Sequence, residues 1–434
     1  MTPPISKERA EEILAPHLDR FDEALDYGWD AWERLRATEH RATACSGRSR
    51  WVSPRLRSCH PGTRPTARRR WVRLARPSRS RRRTRVAEAN PELLTLVREY
   101  RGLTQSTLAE RAGLTQGYVS KFEHGLIDAP TRESIAKLAR ALDWPEDFFL
   151  RPERRYGFGT TCLFHRKRAS LQPTQLRKIE ATVNVVRLGI EPLLREIALG
   201  DVEFPVLDVD LFDSPERIAQ LVRGQWRLPM GPITNLTTVI EAAGAIVFHI
   251  DFETRLLDAV SHWSPDSPPM FFANTHSSGE RLRYSLAHEI GHIVMHSAST
   301  ATMEAEADRF AAELLMPARE IKAQLINLDL VKAAKLKPYW RVSIQALVRR
   351  AQDLETISRN RASSLFRRMN AMGYKVNEPL PLEREEPTVL RKLLDVHRMQ
   401  HGYSTEDLIR STEIGEDAAR HTLVTDRPRL VAVK

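Results

Sequence analysis

The chain has 434 residues, of which 41% are hydrophobic and 28% are charged, as is typical of globular proteins that bury a core. Its apolar runs are far shorter than the roughly 20 residues that a membrane helix needs, and the N-terminal sequence lacks the apolar region of a secretory signal. Three cysteines, Cys45, Cys59 and Cys162, are too few and too scattered for a disulfide framework or a cysteine-rich zinc site. We therefore expect a cytoplasmic protein that does not bind membranes.

The net charge of +11 is concentrated in one segment. Residues 41–85 contain 16 Arg and no Lys, Asp or Glu, whereas the other 389 residues carry a net charge of −5. The segment is rich in Pro, Ser and Gly and has no helical or strand period, which predicts a disordered linker over 41–88. Three interpretations are open: a basic arm that contacts phosphates, a solvated linker without a further role, or an artefact of the gene model.

Hydrophobic periodicity predicts a multidomain, mainly α-helical protein. Residues 1–40 indicate an acidic amphipathic helical segment, 89–150 a compact unit of short helices, and 160–375 a larger α+β domain. Residues 376–434 begin with a Pro- and Glu-rich linker and stay unassigned, apart from a short helix expected around Thr388–Gln400.

Within the larger domain, a long amphipathic helix is predicted to run from Pro173 to Leu199. Three strand-like runs follow between residues 245 and 274, namely AIVFHI, LDAVSHW and MFFAN. Residues 280–315 are strongly helical, with one break around Ser297–Thr302.

The unit at 89–150 contains two short helices joined by a glycine turn. We expect a helix over Gln105–Ala112, a left-handed C-cap at Gly113, and an N-cap at Thr115 for a helix that ends near Glu123. This is the helix-turn-helix plan. In that plan the start of the second helix faces the bases, and the candidate DNA-binding residues are Gln105, Thr115, Gln116, Gly117, Ser120 and Lys121.

These residue types suit DNA contacts. Gln pairs with adenine, Lys donates to guanine or phosphate, and Gln105 at a helix N-terminus would hold a phosphate. A small helical bundle with no nucleic-acid role is the alternative. The text TQSTLAERAGLTQGYVSKFEHG resembles the Xre/Cro-type repressor domain along about 55 residues. The resemblance implies five helices, a homodimer on a palindromic double-stranded DNA operator, and base contacts from Gln116, Gly117 and Lys121, although Gly117 replaces a side-chain-bearing residue.

The sequence RLRYSLAHEIGHIVMH carries an HExxH motif. His288 and His292 are four residues apart, so both imidazoles project from one face of a helix, with Glu289 beside them. The motif supplies two zinc ligands and a general base. Surface histidines beside a solvent-facing acidic stripe are the alternative.

Tetrahedral zinc requires a third protein ligand. In the following helix, MEAEADRFAAELLMP, Glu304 is the predicted ligand, and Asp308, one turn later, is expected to hydrogen-bond a ligand histidine. Glu306 is the fallback ligand. We assign His296 to the helix C-terminus rather than to the metal, and Cys162 and His165 to the core and the surface.

The arrangement resembles the ImmA/IrrE family of metallopeptidases over about residues 160–375. The specific part is HExxH followed by ExxAD. The resemblance implies a zincin-like α+β fold with a small antiparallel sheet beside the active-site helix. It also implies cleavage of DNA-binding repressors, often with a fused Xre-type domain, and sometimes an association with toxin–antitoxin or stress loci.

The sequence therefore predicts a DNA-binding transcriptional regulator with a zinc-dependent endopeptidase domain whose substrate is a repressor or antitoxin-like protein. Glu289 would take a proton from a zinc-activated water and return it to the leaving amine, with Tyr284, His276 and Arg283 as candidates for stabilising the oxyanion. The alternative is a non-catalytic Xre-family transcription factor or antitoxin that uses the zincin fold as a sensor or dimerisation module. Self-cleavage near residues 150–175 would favour the peptidase.

Overall fold

The computed structural model describes residues 89–127, 130–152, 171–197, 200–264, 267–298, 300–374 and 377–423. The predicted segments 1–40 and 41–88, together with Cys162 and His165, lie outside these residues. Within the described ranges, no helix combines the length and the apolar character that a membrane crossing requires.

The first unit is a bundle of short helices whose ends are capped by threonines. Thr104, Thr115 and Thr131 each accept a backbone N–H of the first helical turn, and Gly113 ends its helix with a left-handed φ of 62°. The bounds, cap and glycine turn predicted for the helix-turn-helix pair are thus confirmed. The helices are α1 (Pro91–Tyr100), α2 (Gln105–Ala112), α3 (Gln116–Glu123) and α4 (Arg132–Leu142).

Of the five helices that the resemblance implies for this unit, the structure shows four as α-helices. The element that follows α4 is a 3-10 helix, Glu146–Leu150. Its N-cap residue, Pro145, makes no side-chain capping bond. Phe148 and Phe149 of this turn are buried against the bundle core, so packing holds it in addition to its backbone hydrogen bonds.

The long helix α5 (Pro173–Arg195) joins two hydrophobic cores. It begins at the predicted Pro173 and ends at Arg195, earlier than predicted. Ala181, Val185 and Leu188 pack into the core of the helix-turn-helix unit, whereas Val186 and Ile190 pack against the sheet of the larger domain. One helix therefore connects the two units through opposite faces.

The larger domain contains a three-stranded sheet in the order β1–β3–β2. The strands are β1 (Ile246–Ile250), β2 (Ala259–His262) and β3 (Met270–Asn274). The sequence resemblance implied an antiparallel sheet, but the sheet is mixed: β1 pairs with β3 in parallel, and β2 pairs with β3 antiparallel. β3 takes the central position, and every one of its residues is buried.

Helices cover both faces of this sheet. Val247 and Phe271 face a core shared with α8 (Gly279–Met295). Phe248 and Phe272 face α5 and α14 (Val389–His401), as the two-residue period of strands requires. The helices after α5 are α6 (Pro215–Gln225), α7 (Leu236–Ala242), α8 (Gly279–Met295), α9 (Met303–Leu315), α10 (Ala318–Ile321), α11 (Leu330–Trp340), α12 (Ile344–Asp353) and α13 (Arg359–Ala371).

Helices α8 and α9 pack closely at Gly291, which lies inside the HExxH motif. A Cβ atom at this glycine would lie 3.1 Å from Phe310 Cδ1 and 3.3 Å from Ala307 Cα. The missing side chain therefore lets the backbone of α9 approach the histidine-bearing helix. This approach brings the acidic residues of α9 within reach of the histidines.

The segment after residue 376 completes both cores. It forms α14 (Val389–His401), α15 (Thr405–Ser411) and α16 (Glu416–Leu423), so the helix expected around Thr388–Gln400 is confirmed. Leu393 of α14 packs in the core beneath β1. Ile414 and Ala418 pack into the helix-turn-helix core beside Trp144. The C-terminal residues therefore hold the two units together.

Candidate metal centre and nucleic-acid face

The three predicted metal ligands meet between α8 and α9. His288 Nε2 and His292 Nε2 are 3.0 Å apart. Glu304 places Oε1 3.2 Å from His292 Nε2 and Oε2 3.7 Å from His288 Nε2. The ligand atoms of all three residues lie within 4.8 Å of one another.

The chemistry of this donor set fits zinc. Two imidazole nitrogens and one carboxylate oxygen are ligands that zinc takes in catalytic sites, with a position left for water or substrate. Burial lowers the pKa of His292 to about 4, so this ring is neutral and keeps its lone pair at neutral pH. Burial alone would raise the pKa of Glu304, but its hydrogen bond with His292 and its electrostatic attraction to His288 outweigh burial. The pKa is therefore lowered, and the carboxylate is ionised at neutral pH.

Each histidine is oriented by a second group through its Nδ1 atom. His288 Nδ1 lies 3.0 Å from Asp308 Oδ1, as the sequence predicted for Asp308. Burial lowers the pKa of His288, whereas the hydrogen bond with Asp308 and the surrounding carboxylates raise it, with a net increase. Such partners orient the ring and strengthen it as a ligand.

The partner of His292 was missed in the sequence. His292 Nδ1 lies 3.0 Å from His296 Nδ1, and His296 Nε2 lies 2.9 Å from Glu306 Oε2. Glu306, the fallback ligand, therefore belongs to this chain of hydrogen-bonding side chains and not to the ligand cluster. The spacing of His292 and His296 was the available signal, because residues four apart share a helix face.

Glu289 is positioned by the neighbouring strand. Its Oε2 atom accepts the backbone N–H of Ser261 at 3.0 Å and the Ser261 hydroxyl at 2.8 Å. Ser261 is fully buried and Glu289 nearly so. No motif marks Ser261, so only the packing of α8 on β2 reveals this contact.

The candidate centre opens into a cleft of about 450 Å³. His288, Glu289, His292 and Glu304 line it, and α12 and the turn after α13 contribute further lining residues, among them Arg349, Asp353 and Tyr374. A cleft of this size suits a segment of peptide or a comparable ligand.

The three oxyanion candidates lie in different places. Tyr284 lines the cleft, donates to the Asp308 carbonyl at 3.1 Å, and has its pKa raised by burial. Arg283 is instead buried in a pair with Glu385, and His276 lies 2.9 Å from Asp251. Of the three, only Tyr284 stays a candidate.

The predicted DNA-contacting residues surround the start of α3. Gln116 Nε2 donates to Gln105 Oε1 at 3.0 Å, and Gln105 Nε2 donates to Glu123 Oε2 at 2.8 Å. Arg98 holds Glu123 from the other side at 2.5 Å. Gln105 thus links α2 to α3, so it orients Gln116 in addition to any phosphate contact.

The other candidates of this face differ in accessibility. Gln116, Gly117 and Lys121 are exposed, and Ser120 is half-buried. The exposed Thr115 accepts the Tyr118 N–H at 3.2 Å as the N-cap, so its hydroxyl is engaged with the helix. The structure therefore presents Gln116, Gly117 and Lys121 most openly.

Two family models match the chain. The model described as Helix-turn-helix matches residues 95–149, and the model described as IrrE N-terminal-like domain matches residues 240–352. The second range contains all three candidate ligands and Glu289. The sequence resemblance to an Xre-type domain followed by an ImmA/IrrE-type peptidase domain is thereby confirmed. No curated protein matches the chain.

Proposed function

Because the chain joins a helix-turn-helix domain to an IrrE-like metallopeptidase domain, we propose that it is a DNA-binding regulator that cleaves a repressor-like protein with the help of zinc. The single observation that carries the proposal is the meeting of His288, His292, Glu304 and Glu289 at one cleft.

The proposed roles follow from the contacts. His288 and His292 bind zinc through Nε2 and Glu304 through its carboxylate, while Asp308 and His296 orient the imidazoles. When bound, zinc polarises the scissile carbonyl and makes a water more acidic.

Glu289 transfers the proton in this proposal. Its carboxylate accepts a proton from the attacking water, whose oxygen bonds to the carbonyl carbon. As the C–N bond breaks, Glu289 delivers that proton to the amine nitrogen. The two hydrogen bonds from Ser261 hold Oε2 in one orientation during both transfers.

The substrate class is proposed from the family resemblance. A repressor-like DNA-binding protein is the target, and the helix-turn-helix half of this chain is one such protein. On the DNA side, Gln116 and Lys121 would read bases or phosphates, and Gly117 would let the backbone approach the groove.

The test is proteolysis by the full chain with zinc bound. We expect the native protein to cleave a peptide library at defined bonds, read by mass spectrometry, and Glu289→Gln to lose at least about 100-fold in rate while keeping its zinc. Full activity of Glu289→Gln would overturn the role of Glu289, and failure of the native chain to take up zinc would overturn the enzyme.

A second function is favoured by the packing between the units. Helix α5 belongs to both cores, and Ile414 and Ala418 pack into the helix-turn-helix core. A conformational change in the peptidase-like domain would therefore alter the packing of the DNA-binding unit through these shared contacts. The second candidate is a transcription factor that uses this domain as a sensor or for dimerisation.

The two functions differ in one measurement. After incubation with zinc, intact-mass analysis of the native chain and of Glu289→Gln would show whether self-cleavage occurs within residues 150–175. The non-catalytic sensor would be supported if zinc changes the DNA affinity of both proteins equally and neither peptides nor the chain itself are cleaved.

A further inference from the structure

A second group of metal-ligating side chains lies where α5 and α14 end. Glu196, His397 and His401 place one ligand atom each within 4.8 Å of the others. Glu196 caps α5, and the two histidines occupy the last turns of α14, four residues apart and so on one face. We call these three residues the α5–α14 cluster.

A hydrogen bond to a backbone carbonyl indicates which nitrogen of His397 carries a proton. The side chain is fully buried, and Nε2 lies 2.9 Å from the carbonyl oxygen of Leu193. Because a carbonyl oxygen accepts and does not donate, Nε2 carries a proton, and Nδ1 is the atom that a second proton or a metal ion would occupy. Among the described residues, no group hydrogen-bonds Nδ1, and a carboxylate oxygen of Glu196 lies 3.5 Å from it.

This arrangement calls for a cation. A lone pair and a carboxylate oxygen that face each other repel unless positive charge lies between them. Both α5 and α14 also end here, and helix C-termini carry partial negative charge that favours cations.

The third side chain favours a metal ion over a proton at this position. A proton between His397 and Glu196 would need only those two atoms, whereas His401 adds another imidazole donor. Two imidazoles and one carboxylate are a zinc donor set. A histidine whose other nitrogen donates to a backbone carbonyl is also the common arrangement of a zinc ligand.

We propose that the α5–α14 cluster binds a second zinc ion, which links the end of α5 to the end of α14. Glu196 and His401 are exposed, so the ion enters from solvent, while His397 anchors it to the core. The ion would fasten the C-terminal helices to α5, the helix that joins the two cores. Its role is structural and independent of peptide cleavage.

The experiment measures zinc per chain on the full-length protein with Zn²⁺ as the only added ligand. We expect about two zinc ions in the native protein and about one in His401→Ala, whose affinity at this cluster falls by more than about 100-fold. His421→Ala is the matched control, because His421 is an exposed histidine of α16 that bonds the Asp417 carbonyl, and it should keep both ions. Circular dichroism confirms folding of each variant.

Hydrogen exchange supplies a second measurement. The variant His288→Ala lacks the peptidase-site ligand and keeps only the α5–α14 cluster, so removal of zinc by a chelator should speed amide exchange in α14. In the double variant His288→Ala/His401→Ala, the chelator should leave this exchange unchanged. Zinc content that is the same in His401→Ala and the native chain would overturn the proposal. If the native chain instead binds a single zinc ion, and this ion is lost in His401→Ala but retained in His288→Ala, the second site would be upheld and the zinc peptidase would be contradicted.

Discussion

The Ser261 hydroxyl donates to Glu289 Oε2 at 2.8 Å, and the backbone N–H of the same serine donates to the same oxygen at 3.0 Å. The general-base candidate is thus held by the strand beside its helix. Both residues are buried, so water does not replace these bonds easily.

Removal of the Ser261 hydroxyl tests this contact. In Ser261→Ala the backbone bond remains and the hydroxyl bond to a charged group, worth about 1.5–3 kcal/mol, is lost. We expect kcat/KM on the peptides cleaved by the native chain to fall about 10-fold or more at constant zinc content. Ser264→Ala is the control, because this buried serine pairs with Ser267; equal activities of the two variants would contradict the role of Ser261.

The Asp308 carboxylate should determine how tightly zinc binds. It lies 3.0 Å from His288 Nδ1, and loss of such a partner costs about 10–100-fold in metal affinity. We expect Asp308→Ala to show this loss in a titration against a competing chelator. Asp395→Ala, which removes an exposed carboxylate paired with Arg398, should bind zinc like the native protein. Unchanged affinity in Asp308→Ala would show that His288 does not need this partner.

Two glycines of the helix-turn-helix should respond oppositely to alanine. Within the described residues, a Cβ at Gly117 or Gly113 meets no atom within 4 Å, but Gly113 has a φ of +62°. Gly117→Ala should raise the free energy of unfolding by about 0.5–1 kcal/mol, and Gly113→Ala should lower it by about 1–2 kcal/mol. Denaturant unfolding followed by circular dichroism measures both, and equal signs would contradict the backbone assignment.

The contact between the C-terminal helices and the helix-turn-helix unit can be tested at Gly415. A Cβ there would lie 2.5 Å from Trp144 Cε3 and 3.0 Å from the Asp143 carbonyl oxygen. Gly415→Ala should therefore lower the free energy of unfolding by about 1–3 kcal/mol. Gly224→Ala, in a helix and with no described atom within 4 Å of its Cβ, serves as the control. Identical stability of the two variants would show that this contact is absent in solution.

Burial of His262 should make stability depend on pH. Burial, followed by the charge of Arg187, lowers the pKa of His262 from 6.5 to about 4. The unfolded chain then takes up a proton that the folded chain excludes, so stability present above pH 6.5 is lost as the pH falls toward 4. Between about pH 7 and about pH 5 this costs about 2 kcal/mol.

Urea unfolding at the two pH values measures this effect. Between these two pH values, the free energy of unfolding of His262→Gln should fall by about 2 kcal/mol less than that of the native chain. Replacement of the exposed His421 by Gln should leave the native difference unchanged. A pH dependence that His262→Gln does not reduce would mean that the His262 ring reaches solvent.

Local sequence signals determined much of the candidate site. The i, i+4 spacing of His288 and His292 and the position of Glu304 on the next helix were sufficient to predict the ligand cluster, because helix geometry relates spacing to direction. The helix bounds around Gly113 were predictable for the same reason: capping depends on the few residues at a helix end.

Contacts between distant segments were decided only by the tertiary structure. Ser261 reaches Glu289 because β2 packs beside α8, and β3 lies between β1 and β2 although it comes last of the three in the chain. The segment after residue 376 had no readable role, since its partners are in α5 and the helix-turn-helix core. The sequence by itself determined which side chains face one way along a helix, whereas the strand order, Ser261 and the C-terminal packing depend on how apolar surfaces far apart in the chain bury one another.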